Sequence, residues 1–296
     1  MTVRRLTFSI PSELDGAHVD TALRKHMGVS STWIRRIKWL EDGILLNDVR
    51  ATPRWMVYAG DSLSIRLSDP WRRSDILPAP GALAIVYEDE DVLVLNKEPG
   101  VSVHPGPGHY SDTIGNFLLY YYDLQGVEGD YHPVHRLDRG TSGLLLVAKH
   151  PYAQERLKHQ LHTSAFSRAY LAICHGVPFP ELGTIDLPIG RMEHALTLRQ
   201  VRPDGRRAVT QYEVIRSRNG LSLLRLNLDT GRTHQIRVHM AHLGHPLAGD
   251  PFYGREEPNL IARTALHSHQ IDFLHPVSGT HMTFALPMPD DMERLI

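Results

Sequence analysis

Two patterns of apolar residues succeed one another along the chain. Between residues 11 and 69, Val19 and Leu23, then Ile34, Ile37 and Leu40, recur at helical spacings on two short segments separated by a turn at Met27-Gly28. Ser30 and Ser31 are suited to cap the second segment, since a serine hydroxyl can accept from an otherwise unpaired N–H of the first turn. After Asp42-Gly43 the period shortens to that of strands, at Ile44 to Asn47, Trp55 to Tyr58 and Ser62 to Leu67. This stretch predicts a compact unit of two helices followed by small strands.

A Pro-rich, charged segment from Pro70 to Gly81 has no sustained period and reads as a linker. Beyond it, Ala84 to Tyr87 and Val92 to Leu95 flank an acidic turn, the pattern of a hairpin. Further strands are predicted at Gly143 to Lys149, around Ala169 to Cys174, and at Ala208 to Ile215, Leu221 to Leu228 and Met282 to Leu286, with a helix at Tyr152 to His162. Helices do not alternate regularly with strands, which excludes a doubly wound parallel fold. The expected class is α+β, with a mixed, mostly antiparallel sheet over 82–296 and a small α/β domain over 11–69.

Composition narrows the picture. At 42% hydrophobic and 22% charged, the 296 residues suit a globular enzyme, and no apolar run is long enough to span a bilayer. The N-terminal stretch has two arginines but neither an apolar segment nor a cleavage site of a secretory leader, so a cytoplasmic protein is expected. The single cysteine, Cys174, excludes an intramolecular disulfide and a multi-cysteine metal site, and fits an apolar strand position. Net charge is −1, but it is uneven: residues 1–75 carry 12 Lys+Arg against 9 Asp+Glu, and the remainder 20 against 24. The first quarter is therefore the basic part. Its Arg35, Arg36 and Lys38 suit either RNA contact or a solvated helix face.

Two stretches carry candidate chemistry. HRLDRGTSG, residues 135–143, sets Asp138 between Arg136 and Arg139 and follows it with Gly140, Thr141 and Ser142. Neighbouring cations and donors favour a charged carboxylate, and a charged carboxylate can act as a nucleophile. The same residues also suit a polar turn ahead of a strand. GRTHQIRVHMAHLGHPLAGDPFYG, residues 231–254, contains Arg232 and Arg237, the latter between Ile236 and Val238 in a strand-like or helix-entry segment. An arginine in such an apolar setting can form a bidentate pair with a carboxylate. His234, His239, His242 and His245 offer metal ligands, but no HExxH motif accompanies them, and hydrogen-bonding histidines are the ordinary alternative. Tyr170, in a strand, could be a core aromatic or a site residue.

Together these stretches resemble the RluA-type pseudouridine synthases. The resemblance runs through IVYEDEDVLVLNKEPGVSVHPG, HRLDRGTSGLLLVAK, RAYLAICHG, GTIDLPIGR, GRRAVTQYEV, GRTHQIRVHMAHLGHPLAGDPFYG and LHSHQIDFLHP in that order, over nearly all of residues 80–290. Residues 11–69 similarly look like the S4-like RNA-binding domain that many of these enzymes carry. The resemblance implies an RNA-modifying isomerase that needs no cofactor or metal. It implies Asp138 as catalytic aspartate, Tyr170 as the tyrosine packed against the target base, and Arg237 as the partner of Asp138. Arg136 would help fill the space left when the uridine is extruded. Arg139, Thr141, Arg168 and Arg232 are further expected RNA contacts, with Arg168 standing where the family usually has lysine. His267-Ser268 replaces a more usual His-Ala, and in the first unit His18 and Glu41-Asp42 depart from the basic pattern. Large-subunit ribosomal RNA is the expected partner, followed by transfer RNA, with no membrane and no obligate protein partner. A non-catalytic RNA-binding protein and a His/Asp metallohydrolase are the competing functions.

Overall fold

The computed structural model describes residues 3–69, 71–72, 74–193, 195 and 197–296. Pro70 and Arg73, within the expected linker, lie outside the described residues.

In the first unit Ser30 caps the helix Ser31–Ile37 by accepting from the Trp33 N–H, as the serine pattern predicts. Trp33, Ile34 and Ile37 are buried on its inner side against Val19, Leu23, Ile44, Leu63 and Ile65. The hairpin Ile44–Leu46 to Val49–Arg50 turns on Asn47 and Asp48, whose φ values of 51° and 64° are both positive. Two such residues make the tight turn whose twist matches antiparallel strands. That turn removes Asn47 from its expected strand. Arg5–Ser9, ahead of the expected start of the unit at residue 11, forms an outer strand paired antiparallel with Ser62–Arg66. The alternation of Leu6 and Phe8 with polar residues is the sequence signal for it.

In the rest of the chain ten strands form one sheet, and Ile189–Arg191 pairs with Arg199–Val201 apart from it. The order along its main path is Leu182–Asp186, Val209–Arg218, Leu221–Leu228, Ser167–His175, Leu266–Leu274, Ser142–Ala148, Val92–Lys97 and Ala84–Glu88. His132–Pro133 and His281–Ala285 pair alongside. Every pairing is antiparallel except Ser142–Gly143 against His267–Ser268. The sheet is thus mixed and mostly antiparallel, the expected α+β class. The helices Ile114–Gln125, Pro151–Gln160 and Gln235–His242 belong to this part of the chain. Leu95, Leu118, Leu145, Ala172, Cys174, Leu224 and Met240 share one core cluster. Val92, Leu144, Leu146, Leu157 and Phe273 share another.

The sequence pattern missed several elements, among them the helix Ile114–Gln125 and the strands Leu182–Asp186 and Leu266–Leu274. The helix begins with a reciprocal Thr113–Asn116 capping box and ends at Gly126 with φ 64°, but its sequence is apolar on several sides, which hides a single stripe. The described part of the linker has no helix or strand, and it is not free of the sheet unit. Asn116 donates to the Leu77 carbonyl, and Arg72 pairs with Asp123.

The first unit is fastened to the second by buried polar contacts. Arg4 forks onto Asp91 at 2.9 and 2.8 Å, Asp69 bridges Arg36 and His132, and the Tyr152 hydroxyl donates to the Met27 carbonyl. Among the described residues, no helix is long and apolar enough to cross a membrane.

Candidate active site

Asp138 lies in the loop between His132–Pro133 and Ser142–Ala148, both held in the sheet. The Thr141 N–H donates to the Asp138 carbonyl at 3.1 Å and closes a turn. Gly143 then carries φ +104°, and a Cβ there would come within 2.3 Å of the Ser268 carbonyl oxygen. Only glycine lets the loop leave its turn that close to the neighbouring strand. The turn and the site are therefore the same loop. From the other side, the Lys97 ammonium is fully buried and donates to the carbonyls of Glu98, Val101 and Arg139, tying the Asp138 loop to the 98–101 segment. Burial pushes Lys97 down to about 7, against the pull of Asp138.

Arg237 comes from the helix Gln235–His242, so its segment is helical and not a strand. Its Nη1 donates to Asp138 Oδ2 at 3.1 Å. The other edge of the guanidinium forks onto Asp250, Nε to Oδ2 and Nη2 to Oδ1, both at 2.7 Å. Asp250 also accepts from the N–H groups of Phe252 and Tyr253, and its side chain is wholly buried. Burial alone would lower the arginine's pKa, but the Asp250 bonds and then Asp138 raise it. Arg237 is therefore a permanent cation, aimed by Asp250 at Asp138. Sequence reasoning missed Asp250. The Gly-Asp-Pro at 249–251 was the available signal, a carboxylate in a turn 13 residues beyond the arginine.

His234 precedes this helix with φ 58°, uncommon for a residue with a side chain. Its Nε2 stands 3.9 Å from Asp138 Oδ1 while Nδ1 meets the Tyr253 hydroxyl at 2.8 Å. Burial pushes its pKa down, partly opposed by Asp138. Gln235 is buried and satisfied on both sides, accepting from the Arg232 N–H and Thr230 and donating to the Val209 carbonyl and Thr210. The helix start is thereby fixed before any substrate arrives.

Asp138, Tyr170 and Arg237 face one cavity of about 410 Å³, with Arg136, Thr141, Arg168 and Arg232 also in its wall. Tyr170 is 4% exposed, and the pairing of its strand with Leu266–Leu274 shifts register between Ala169 and Tyr170. Such irregularities re-aim side chains beside sites. Burial pushes its phenol pKa up, and Asp138 adds to the rise, so the hydroxyl keeps its proton at neutral pH. Arg168 is 7% exposed, its Nε is buried without a partner, and its guanidinium lies over Phe166. A buried donor in a cavity wall calls for an incoming acceptor. Lys158, His162 and His104 complete the basic lining and were not singled out from sequence.

The remaining expected residues divide. Arg139 is exposed beside a second cavity, its Nε donating to the Gly100 carbonyl. Thr141 is only 2% exposed, so it serves the turn before it could serve RNA. Arg232 lends Nε to the Arg207 carbonyl. Arg35, Lys38 and Arg36 sit on the first unit and line neither cavity. Arg36 is engaged with Asp69 at 2.9 Å. Lys38 lies 4.7 Å from the centre of the exposed Trp39 ring.

Three of the four histidines considered as metal ligands have separate partners: His234 meets Tyr253, His239 meets Thr210 and the Leu187 carbonyl, and His245 meets the His175 carbonyl. His242 is the last residue of its helix. Asp89, Asp91 and His275 do gather elsewhere, but His275 Nδ1 accepts from the Ser278 N–H. Its Nε2 lies 3.2 Å from Asp89 without forming a hydrogen bond.

A mostly antiparallel sheet thus brings a carboxylate, a fixed arginine and a buried tyrosine to one basic cleft. Residues 91–242 match the family model described as RNA pseudouridylate synthase. The chain is 41% identical over 272 residues to the uncharacterized RNA pseudouridine synthase YjbO of Bacillus subtilis, covering 91% of this chain and 95% of that protein. It is 42% identical over 274 residues to the ribosomal large subunit pseudouridine synthase D of Vibrio cholerae, covering 86% and 83%. Among solved structures, human RNA pseudouridylate synthase domain containing 1 superposes with a TM-score of 0.58 at 27% identity, over 70% of this chain and 85% of that one. The chain belongs to the RNA pseudouridylate synthase family, and it is an isomerase that converts uridine to pseudouridine in RNA.

Proposed function

We propose that the cleft isomerises uridine in large-subunit (23S) ribosomal RNA, with Asp138 as the nucleophile. The observation that carries the catalytic assignment is the contact of Arg237 with Asp138 at 3.1 Å, made by an arginine whose other edge is locked onto Asp250. The substrate class is supported by relatives named for the ribosomal large subunit, whose lengths this chain largely covers. A cytoplasmic location follows from that substrate.

The reaction breaks the bond from ribose C1′ to uracil N1 and forms one from C1′ to C5; N1 gains a proton and C5 loses one. Atoms and electrons balance without a cofactor. The target uridine must leave its stack to reach Asp138, at a cost of a few kcal/mol that phosphate contacts and an inserted side chain can offset. Arg136, exposed and in the cleft wall, fills the vacated space. Arg168, Arg232 and Lys158 supply cationic wall, and Arg168 has donor capacity to spare. Asp138 acts at the ribose, Tyr170 packs against the detached uracil with its hydroxyl protonated, and Arg237 keeps the carboxylate aimed. Arg139 and Thr141 act through the loop that presents Asp138. Residues 11–69 serve as an S4-like RNA-binding domain, with Arg35 and Lys38 as its contacts and Arg36 as a structural residue.

The test is Asp138→Asn, which preserves shape and removes the charge. The variant is expected to bind RNA and to release no tritium from 5-labelled uridine; release at the wild-type rate refutes the assignment.

A further inference from the structure

The cleft continues past Asp138 into a second cavity of about 960 Å³, and nothing in the chemistry of the target uridine accounts for it. Asp138, Arg136 and Arg237 stand between the two spaces and line both. Because Asp138 lines both, the second space adjoins the place where the ribose would react.

Its lining differs in kind from the first. Phe252 is 55% exposed there, although phenylalanine at a protein surface forfeits burial. Its position is nevertheless fixed. Its N–H donates to Asp250, its ring stacks with His234 at 6.1 Å between centres, and the Arg237 guanidinium carbon lies 5.3 Å from the ring centre. It is a pre-set aromatic surface with open area facing a cleft.

Most of the cations around it are already engaged, with Arg136 the exposed exception. Arg237 is taken up by Asp250 and Asp138, Arg263 by Asp291, and Arg139 gives its Nε to Gly100. Glu256 lines the same space, is exposed, and makes no hydrogen bond or ion pair among the described residues. A free carboxylate repels phosphate but accepts from the N–H groups of a base edge. An open aromatic ring beside such an acceptor matches a nucleobase: one group stacks its face, the other receives its edge.

We infer that this second cavity holds the nucleobase adjoining the target uridine, stacked on Phe252 and read by Glu256 through its amino or imino N–H. The assignment rests on the pseudouridine synthase function proposed above and adds the determinant of sequence context. Stacking of a neighbouring base contributes alike to ground and transition state, so its loss is seen in KM and not in kcat.

The experiment uses the full chain and total RNA from cells lacking the gene, in which the target uridines are unmodified. Pseudouridine formation at each site is followed by sequencing of carbodiimide adducts over a range of RNA concentrations. Phe252→Ala is expected to raise KM about 5- to 150-fold, the range for one stacked base, with kcat within twofold of wild type. Phe252→Trp is expected to restore KM. If the ring merely props Arg237, Phe252→Ala lowers kcat, and that result overturns the proposal, as does an unchanged KM. With short transcripts differing only in the bases beside the modified uridine, Glu256→Gln is expected to reorder their relative rates; an unaltered order also overturns it. Failure of the wild-type chain to modify any RNA speaks against the function itself, and is distinct from a wild type that turns over while Phe252→Ala keeps its KM.

Discussion

Removing Asp250 is expected to do more damage than its distance from the substrate suggests. Arg237 is 5% exposed in its side chain and Asp250 is 0%, so Asp250→Ala leaves an arginine buried with only Asp138 as partner. Deleting one member of a buried pair costs about 3–5 kcal/mol, because the survivor loses its counter-charge without regaining water. The N–H groups of Phe252 and Tyr253 also lose their acceptor, but those residues are exposed and half-buried, so water can replace it at little cost. For a unit of this size the loss corresponds to a fall in Tm of roughly 6–20 °C. The double variant Arg237→Met/Asp250→Leu removes both charges and should recover most of that stability, since an apolar pair of similar volume replaces a buried ion pair at little or no cost. It should recover no activity, because Asp138 has lost its partner; a rate loss on the order of 100-fold or more is expected from mispositioning alone. Thermal melts and tritium release on the four members of the cycle measure both effects. If the double variant is as unstable as the two single losses added together, the pair is not the source of the cost. If it retains the wild-type rate, Arg237 does not aim Asp138.

Acid should destabilise the protein through two histidines as well as its carboxylates. Burial pushes His135 down to about 3 and His267 down to about 4, so below pH 6.5 the unfolded chain takes up protons that the folded chain refuses. Stability present above pH 6.5 is lost as pH falls toward those values, with a limiting slope of about 1.4 kcal/mol per pH unit for each histidine. Urea unfolding of His135→Gln between pH 7 and 5 should show a shallower pH dependence than wild type, and an identical slope would remove His135 from this account. At the cleft wall, Lys158 carries no ion pair among the described residues, and burial pushes its pKa down. Lys158→Ala should weaken RNA binding and reduce the slope of log affinity against log salt by about 1; an unchanged slope places it off the phosphate path.

The chain's own pattern of apolar residues determined most of the strands and the serine cap, because a period of two or of 3.6 is a local property that survives without knowledge of neighbours. Motif content drew attention to Asp138, Tyr170 and Arg237, whereas the helix Ile114–Gln125 escaped notice because several of its sides are apolar. What local pattern could not supply was which charge meets which. Arg36 and Arg35 are adjacent and look alike in sequence, yet Arg36 is engaged with Asp69 and Arg35 is exposed, a difference made by a residue 33 positions away. Arg237 reaches Asp138 across 99 residues and is held there by Asp250, so its direction depends on a helix, a loop and a turn packing together. Phe252 in sequence is one more apolar residue, expected inside; the fold leaves it open beside Asp138 because its backbone is pinned to Asp250. Residue type sets what a side chain is able to do. Its partners and its access to solvent are long-range properties, and these were decided only when the sheet closed around the cleft.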